Sequence, residues 1–120
     1  NVLACEVPED TIAGFATSLD THHKGDNGGD YFVLENGPFY GVPYGIMVPK
    51  KVDNLLVAGR SVSADEVGSS TVRMIPCCIA FGQAAGIAAA QAIQTGKTPA
   101  TIDVQLLRGE LRRQGAYLGE

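Results

Sequence analysis

Residues 52–93 decide the fold and read VDNLLVAGRSVSADEVGSSTVRMIPCCIAFGQAAGIAAAQAI. The segment opens with apolar residues, breaks at Gly59 and Arg60, continues as a polar stretch and resumes at Pro76 as a run of small residues. The apolar run at residues 55–58 predicts a strand that is covered on both faces, as in a parallel sheet. A strand, a polar loop and a long Ala/Gly-rich helix in this order predict an α/β fold, or α+β for a piece cut from a larger domain.

The long helix has well-marked ends. Pro76 stands at its first position, where a missing N–H costs nothing, and Gly96 follows Thr95 in the usual stop position. Inside the helix, Gly82 and Gly86 each cost about 1 kcal/mol relative to alanine. We therefore expect a backbone, a sheet or a flat ligand to press against that face. The alternative is packing alone, because Ala/Gly-rich helices are common in tightly packed α/β proteins that hold no ligand there.

The amino end of this helix is a candidate anion site. Its first N–H groups have no partner within the helix and carry a partial positive charge, which favours a phosphate, a carboxylate or an anionic ring oxygen. Such a group would dock near Pro76, Cys77 and Cys78. The adjacent thiols lack the C-x-x-C spacing of disulfide exchange, so we expect them to be small buried packing residues.

The first half of the chain is rich in strand and turn signals. Residues 7–19 predict a short helix or turn followed by a strand, and residues 20–30 (DTHHKGDNGGD) predict a surface loop. Two further strands, with a hairpin signature, are predicted in YFVLE at 31–35 and FYGVPYGIMV at 39–48. Pro43 has no N–H to donate, so its strand should lie at an edge or carry an irregularity.

A metal site in the loop is not expected. His22, His23, Asp26 and Asp30 are all ligand types, but adjacent imidazoles rarely converge on one ion and the oxygen spacing is not that of a calcium loop. The loop is therefore interpreted as a solvated turn.

A carboxyl-terminal helix is predicted from Asp103 to Gly115. Asp103 is a capping residue, and Val104, Leu107 and Leu111 form one apolar stripe. The arginines fall outside that stripe, at positions 108, 112 and 113.

Composition limits the classes of protein and partner. A chain of 120 residues predicts one domain, and a net charge of -4 with a pI near 5.0 gives no basic surface for nucleic acid. Three cysteines make no disulfide framework and favour a reducing, cytoplasmic compartment, with a trimmed signal peptide as the open alternative. Gln83 and Gln91 interrupt the apolar helix, so it is interpreted as a soluble, buried helix and not as a membrane span.

Several linked motifs carry a resemblance to a known family. Residues 52–93, with YGVPYGIMVPK upstream and IDVQLLRGELRRQGAYL downstream, closely resemble the carboxyl-terminal part of FAD-dependent oxidoreductases with a glutathione-reductase-type flavin domain. The resemblance covers residues 40–118. It implies that residues 1–50 are strands of a substrate domain and that residues 51–120 are the end of the FAD-binding domain.

The resemblance also implies which residues face the cofactor. The Gly-Arg after the strand would lie against FAD, the helix start would face the pyrimidine edge of the flavin ring, and Arg73 would add a cation near flavin or substrate. A surface ion pair of Arg73 with Asp65 or Glu66 is the alternative. The implied cofactor-binding residues are Gly59, Arg60, Ser61, Arg73, Ile75, Pro76, Cys77, Cys78, Ile79 and Gly82. No catalytic residue is identified.

Two departures from the family pattern are informative. Many flavoproteins have Gly-Asp at this strand end to hold the ribityl chain, whereas Arg60 cannot accept a hydrogen bond and Asp65 or Glu66 would have to substitute. The G-x-G-x-x-G turn that binds the pyrophosphate is absent from all 120 residues. We therefore expect a carboxyl-terminal fragment that binds FAD poorly by itself and is inactive without the rest of an enzymatic parent.

Two other functions remain open at this stage. A non-catalytic module would use the same helix and strands only to pack against a missing domain or a partner, or to self-associate. A carbohydrate-processing protein is the third alternative, because members of the family sometimes carry names such as xanthan lyase. Tyr31, Tyr40 and Tyr44 would then stack on sugars, although three aromatic residues in strands are more often core.

Overall fold

A computed structural model describes residues 4–16, 19–21, 30–32, 34 and 37–119. Within these described residues, four strands precede three α-helices. The strands are β1 (Thr11–Phe15), β2 (Leu19–Thr21), β3 (Asp30–Phe32) and β4 (Tyr40–Pro43). The helices are α1 (Glu66–Val72), α2 (Ile75–Thr95) and α3 (Val104–Arg113), and 3-10 turns lie at Tyr44–Met47 and Gly59–Ser61. The mixed α/β class predicted from the sequence is confirmed.

The strands form two antiparallel pairs. β1 pairs with β4, which places Phe15 opposite Tyr40, and β2 pairs with β3. The expected hairpin between residues 31–35 and 39–48 is therefore wrong, because each of those strands pairs with an earlier one. Pairing with β1 places Ile12 and Tyr40 in one core. Pro43 lies at the end of β4, where the register of the pair is irregular, as its missing N–H predicted.

Helix α2 supplies one wall of the core. Its buried face repeats every three or four residues and comprises Cys77, Phe81, Ala84, Ala88 and Ala92. The predicted ends are confirmed: Pro76 is in the first turn, and Gly96 ends the helix with a left-handed φ of 64°. Short alanine side chains on this face let the sheet and α3 approach closely.

The opposite face of α2 is open, which corrects the expectation of a buried helix. Ile75, Ile79 and Ile93 are 68%, 69% and 83% exposed. A Cβ placed on Gly82 or Gly86 would meet nothing within 4 Å, so in this chain nothing presses against the two glycines. By length and composition alone α2 is long and apolar enough to cross a membrane, a test that core helices of soluble proteins also pass.

The strand predicted at residues 55–58 is absent. Residues 55–58 are irregular, Leu55 is 46% exposed, and the segment is attached through Val57 N–H, which donates to the Met47 carbonyl oxygen at 2.8 Å. A strand needs a neighbouring strand, and within the described ranges no strand pairs with this segment. Its apolar residues therefore do not have the double cover that was predicted.

Helix α1 lies inside the segment that was predicted to be a polar loop. Asp65 caps it, because its carboxylate accepts a hydrogen bond from Gly68 N–H at 2.7 Å. The last three residues, Ser70, Thr71 and Val72, are buried. A capping aspartate followed by tertiary burial is enough to stabilise a short helix in a sequence rich in Ser, Thr and Gly.

Helix α3 confirms one prediction and corrects another. Asp103 caps it by accepting hydrogen bonds from the N–H groups of Gln105 and Leu106, at 2.9 and 3.4 Å. Arg108 was placed outside the apolar stripe but is 6% exposed. Its guanidinium donates to the carbonyl oxygens of Pro8 and Glu9, so the amino-terminal segment covers it.

Candidate functional site

The turn Gly59–Ser61 is positioned by its two flanks. Before it, Val57 bonds to Met47; after it, Ser63 N–H donates to the Ile46 carbonyl oxygen at 3.1 Å. Gly59 has a φ of +69°, in the left-handed region that other residues rarely adopt, and a Cβ there would meet nothing within 4 Å. Glycine is therefore required by backbone conformation and not by a lack of space.

Arg60 connects this turn to the end of α1. Its Nε–H donates to the backbone carbonyl oxygen of Arg73 at 3.1 Å. Arg73 is the residue that ends α1, directly before Met74 and the start of α2. The hydrogen bond thus holds the Arg60 side chain beside Arg73, at the amino end of α2. Both arginines were predicted from the sequence as site residues.

The amino end of α2 has no side-chain cap. Met74 occupies the capping position and makes no side-chain bond to the first turn. Cys78 N–H is the first to bond within the helix, donating to the Met74 carbonyl oxygen at 3.1 Å, and Pro76 has no N–H. The partial positive charge of the helix end is therefore not offset by a capping carboxylate or hydroxyl.

The two thiols differ in burial, so the expectation that both are buried holds for Cys77 alone. Cys77 is fully buried, and its thiol donates to the Thr71 carbonyl oxygen at 3.3 Å. Burial, followed by the proximity of Cys78, raises the pKa of Cys77 from 9.0 to about 11, so the thiolate is disfavoured. Cys78 is half-buried, with its sulfur 3.8 Å from the Val72 carbonyl oxygen. The Cys77 thiol is therefore not placed to contact a ligand outside the core.

A cavity of about 590 Å³ lies in front of the helix start. Its lining residues are Arg60, Arg73, Met74, Ile75 and Pro76. Four of them were predicted from the sequence. Met74 was missed, although an apolar residue directly before a proline-started helix is a signal for an uncapped, accessible end. None of the described lining residues is acidic.

The remaining predicted residues lie around this cavity but do not line it. Gly59 and Ser61 share the turn with Arg60. Ile79 lines a separate cavity of about 190 Å³ between β1 and α2, and Gly82 is exposed one turn further along the helix. Arg60, Arg73 and the start of α2 therefore line one cavity, whereas the Ala/Gly-rich outer face of α2 lies outside it.

Other candidate sites have no support in the described residues. A larger cavity of about 820 Å³ between α2 and α3 includes none of the predicted site residues. Tyr40 and Tyr44 are buried, and the Tyr44 hydroxyl donates to the Pro99 carbonyl oxygen at 2.8 Å, so neither offers a face to a sugar. Of the potential metal ligands in the loop, His22, His23 and Asp26 lie outside the described residues. The described ranges contain no cluster of three metal-ligating side chains.

One comparison with known proteins is informative. The family model described as FAD dependent oxidoreductase matches residues 1–111. No match was found among curated proteins or among solved structures. Because the family match spans nearly the whole sequence, this chain belongs to the FAD-dependent oxidoreductase family, whose cofactor is FAD.

Proposed function

We propose that this chain is the carboxyl-terminal portion of a glutathione-reductase-type FAD-dependent oxidoreductase and forms one wall of its flavin site. The observation that carries the proposal is the cavity that gathers Arg60, Arg73 and the first turn of α2. FAD supplies electron or hydride transfer to a small molecule when it is bound. The chain supplies the groups that bind and orient the ring.

The residues of the cavity fit the pyrimidine edge of a flavin ring. That edge is rich in carbonyl oxygen and gains negative charge on reduction. The described lining includes two arginine side chains and the uncapped positive end of α2. The cavity would thus favour the reduced, anionic ring over the oxidised one.

The residues of this chain would contact only part of FAD, namely the flavin ring. The sequence has no G-x-G-x-x-G turn, so the diphosphate would be bound by another part of the parent protein. The carboxylate of Asp65, one candidate acceptor for the ribityl hydroxyls, caps α1 through Gly68. The ribityl contacts would then come from Glu66 or from another part of the parent.

The division of the chain follows from the same proposal. Residues 1–50 would belong to a substrate domain and residues 51–120 to the end of the FAD-binding domain. In the parent, further chain would cover the open face of α2, including Ile79 and Gly82, and would provide a neighbour for residues 55–58. Both features are apolar and exposed here, as expected of surfaces that are covered in a larger domain.

Flavin binding by the parent protein tests the proposal. The parent with its upstream sequence, purified after incubation with FAD, should show the absorption bands of bound flavin. Arg73→Gln should raise the dissociation constant for FAD by about tenfold, as expected for loss of one charge-assisted contact. Arg112→Gln, which removes the same charge from the exposed surface of α3, should leave it unchanged.

A colourless parent would overturn the proposal. If the purified chain also formed stable dimers in light scattering, the packing module would replace it. Unsaturated products from uronic-acid polymers would instead favour carbohydrate processing.

A further inference from the structure

The last turn of α1 is held by donors that belong to, or adjoin, the candidate site. The final carbonyl groups of a helix have no partner within that helix and need donors from elsewhere. The Thr71 carbonyl oxygen accepts from the Cys77 thiol and from Met74 N–H, each at 3.3 Å. The Arg73 carbonyl oxygen accepts from Arg60 Nε–H at 3.1 Å. A single residue separates the two carbonyl groups, so their donors hold one short piece of backbone.

The Cys77 contact is shielded from water. Thr71 and Cys77 are both 0% exposed. Water cannot replace a lost donor in such a place, so even a weak S–H donor constrains the carbonyl group. Cys78 is half-buried, and its sulfur lies 3.8 Å from the Val72 carbonyl oxygen and 4.0 Å from that of Arg73. These contacts are longer and less buried, so the stronger constraint comes from Cys77.

We propose that Cys77 is a positioning residue for the Arg60 guanidinium. Its thiol holds the Thr71 carbonyl, and the backbone that follows carries the Arg73 carbonyl. The Arg73 carbonyl in turn fixes Arg60 Nε at the wall of the cavity. The thiol thus acts through the end of α1 and touches no ligand itself. That the guanidinium faces a flavin ring rests on the proposed function; the dependence of its position on Cys77 does not.

Hydrogen exchange at Arg60 Nε–H tests this dependence in the present chain without flavin. The native chain should exchange this proton slowly, because the proton is bonded to the Arg73 carbonyl oxygen. Cys77→Ala should speed the exchange about fivefold, the factor expected for loss of one buried hydrogen bond. Cys77→Ser should stay near the native rate, because serine is also smaller than cysteine but keeps a donor. Nitrogen-edited NMR spectra give the three rates.

Two controls separate the positioning role from a general loss of stability. Cys78→Ala makes the same truncation at the adjacent, half-buried thiol and should change the Arg60 rate by less than about twofold. Ala88→Gly weakens the buried middle of α2, about three turns from Cys77, and should leave the Arg60 rate unchanged. Acceleration in either control equal to that in Cys77→Ala would overturn the proposal. An unchanged rate in Cys77→Ala, or equal acceleration in Cys77→Ser, would overturn it too.

A further variant and a second signal apply if Cys77→Ala does not fold. Cys77→Val fills more of the site and still lacks a donor, so it should show the same faster exchange. The Thr71 carbonyl carbon signal reports the hydrogen bond itself. This signal should move in Cys77→Val and stay near its native position in Cys77→Ser. A signal at the native position in Cys77→Val would contradict the role of the thiol.

Flavin binding by the parent gives a separate result. Cys77→Ala should raise the dissociation constant of the parent for FAD by about fivefold, and Cys77→Ser should restore the native value. A colourless parent would refute the proposed function and leave the positioning of Arg60 in the chain standing. A yellow parent, with an Arg60 exchange rate in the chain that does not depend on Cys77, would refute the positioning role alone.

Discussion

The Arg60 side chain is bonded to the Arg73 backbone, with 3.1 Å between Nε and the carbonyl oxygen, although the two residues are 13 positions apart. The bond joins the turn Gly59–Ser61 to the end of α1 just before α2 begins. The position of the Arg60 guanidinium therefore depends on the backbone of two short elements. Changes that move either element should affect the cavity as well as stability.

Substitution of Gly59 tests the turn. Gly59→Ala should lower the free energy of unfolding by about 1–2 kcal/mol, because an alanine is strained at a φ of +69°. Gly59→Asn should cost less, since asparagine tolerates this region better. Urea denaturation measures both. Gly109→Ala is the control, because Gly109 is an exposed helical glycine of α3 with nothing within 4 Å of its added Cβ; a loss there equal to that at Gly59 would contradict the backbone argument.

Substitution of Gly86 tests the open face of α2. In the chain alone, Gly86→Ala should raise the free energy of unfolding by up to about 1 kcal/mol, because alanine is the better helix former and the added Cβ meets no atom within 4 Å. Thermal unfolding gives the measurement. Gly14→Ala should instead lower the free energy of unfolding, because its Cβ would lie 2.6 Å from the Gly119 nitrogen. Destabilisation by Gly86→Ala would show that the face is covered in solution.

The two faces of α2 should respond differently to truncation. Phe81 is fully buried, so Phe81→Ala should cost about 3–5 kcal/mol in the free energy of unfolding. Ile93 is 83% exposed, so Ile93→Ala should change that free energy by less than about 0.5 kcal/mol. Chemical denaturation of the two variants compares the faces within one helix. Similar costs at both positions would contradict the orientation of α2.

The buried thiol makes stability depend on alkaline pH. The pKa of Cys77 is raised from 9.0 to about 11 in the folded chain, so its neutral form contributes stability that is present below pH 9 and is lost as pH rises towards 11. The loss approaches about 2 kcal/mol. Cys77→Ala has no thiol at this position and so does not lose this stability. The difference in the free energy of unfolding between the native chain and Cys77→Ala should therefore shrink between pH 9 and 11. A difference that stays constant from pH 8 to 11 would contradict burial of the thiol.

The carboxylate of Glu110 should titrate at unusually low pH. Hydrogen bonds from Arg113 and then Gln114 lower its pKa from 4.5 to about 2, so any stabilisation from these contacts is present above pH 4.5 and is lost as pH falls towards 2. The side-chain carbonyl oxygen of Gln114 also accepts a hydrogen bond from Gln83 at 3.0 Å, which links α3 to α2. Carbon-detected NMR should show the midpoint return towards 4.5 in Arg113→Gln. An unchanged midpoint would remove Arg113 as the cause.

The parts of the fold set by local chemistry were predictable, and those set by distant contacts were not. Pro76, Gly96 and Asp103 mark helix ends through their own backbone and side-chain geometry, and the structure confirms all three. Arg108 looks exposed on a helical wheel, yet its partners are carbonyl groups about 100 positions earlier in the chain. No short window of sequence contains that information.

The candidate site follows the same rule. The helix start was predictable because free N–H groups follow from proline and helix geometry alone. The bond that brings Arg60 to Arg73 was not, because it depends on α1, a helix with too few apolar residues to show a periodic pattern. Residues 55–58 show the reverse case, in which a strong strand pattern lacks a neighbour to pair with in the described chain.

The charge-free composition of α2 has a practical consequence for handling the protein. All 21 residues of this helix are uncharged, and three isoleucines on its outer face meet water. Electrostatic repulsion between molecules comes from the net charge of the protein, which is zero near pH 5.0. The hydrophobic attraction between exposed apolar faces does not depend on pH. Precipitation should therefore be most severe in mildly acidic buffer, and replacing Ile93 with lysine should move the onset to higher protein concentration.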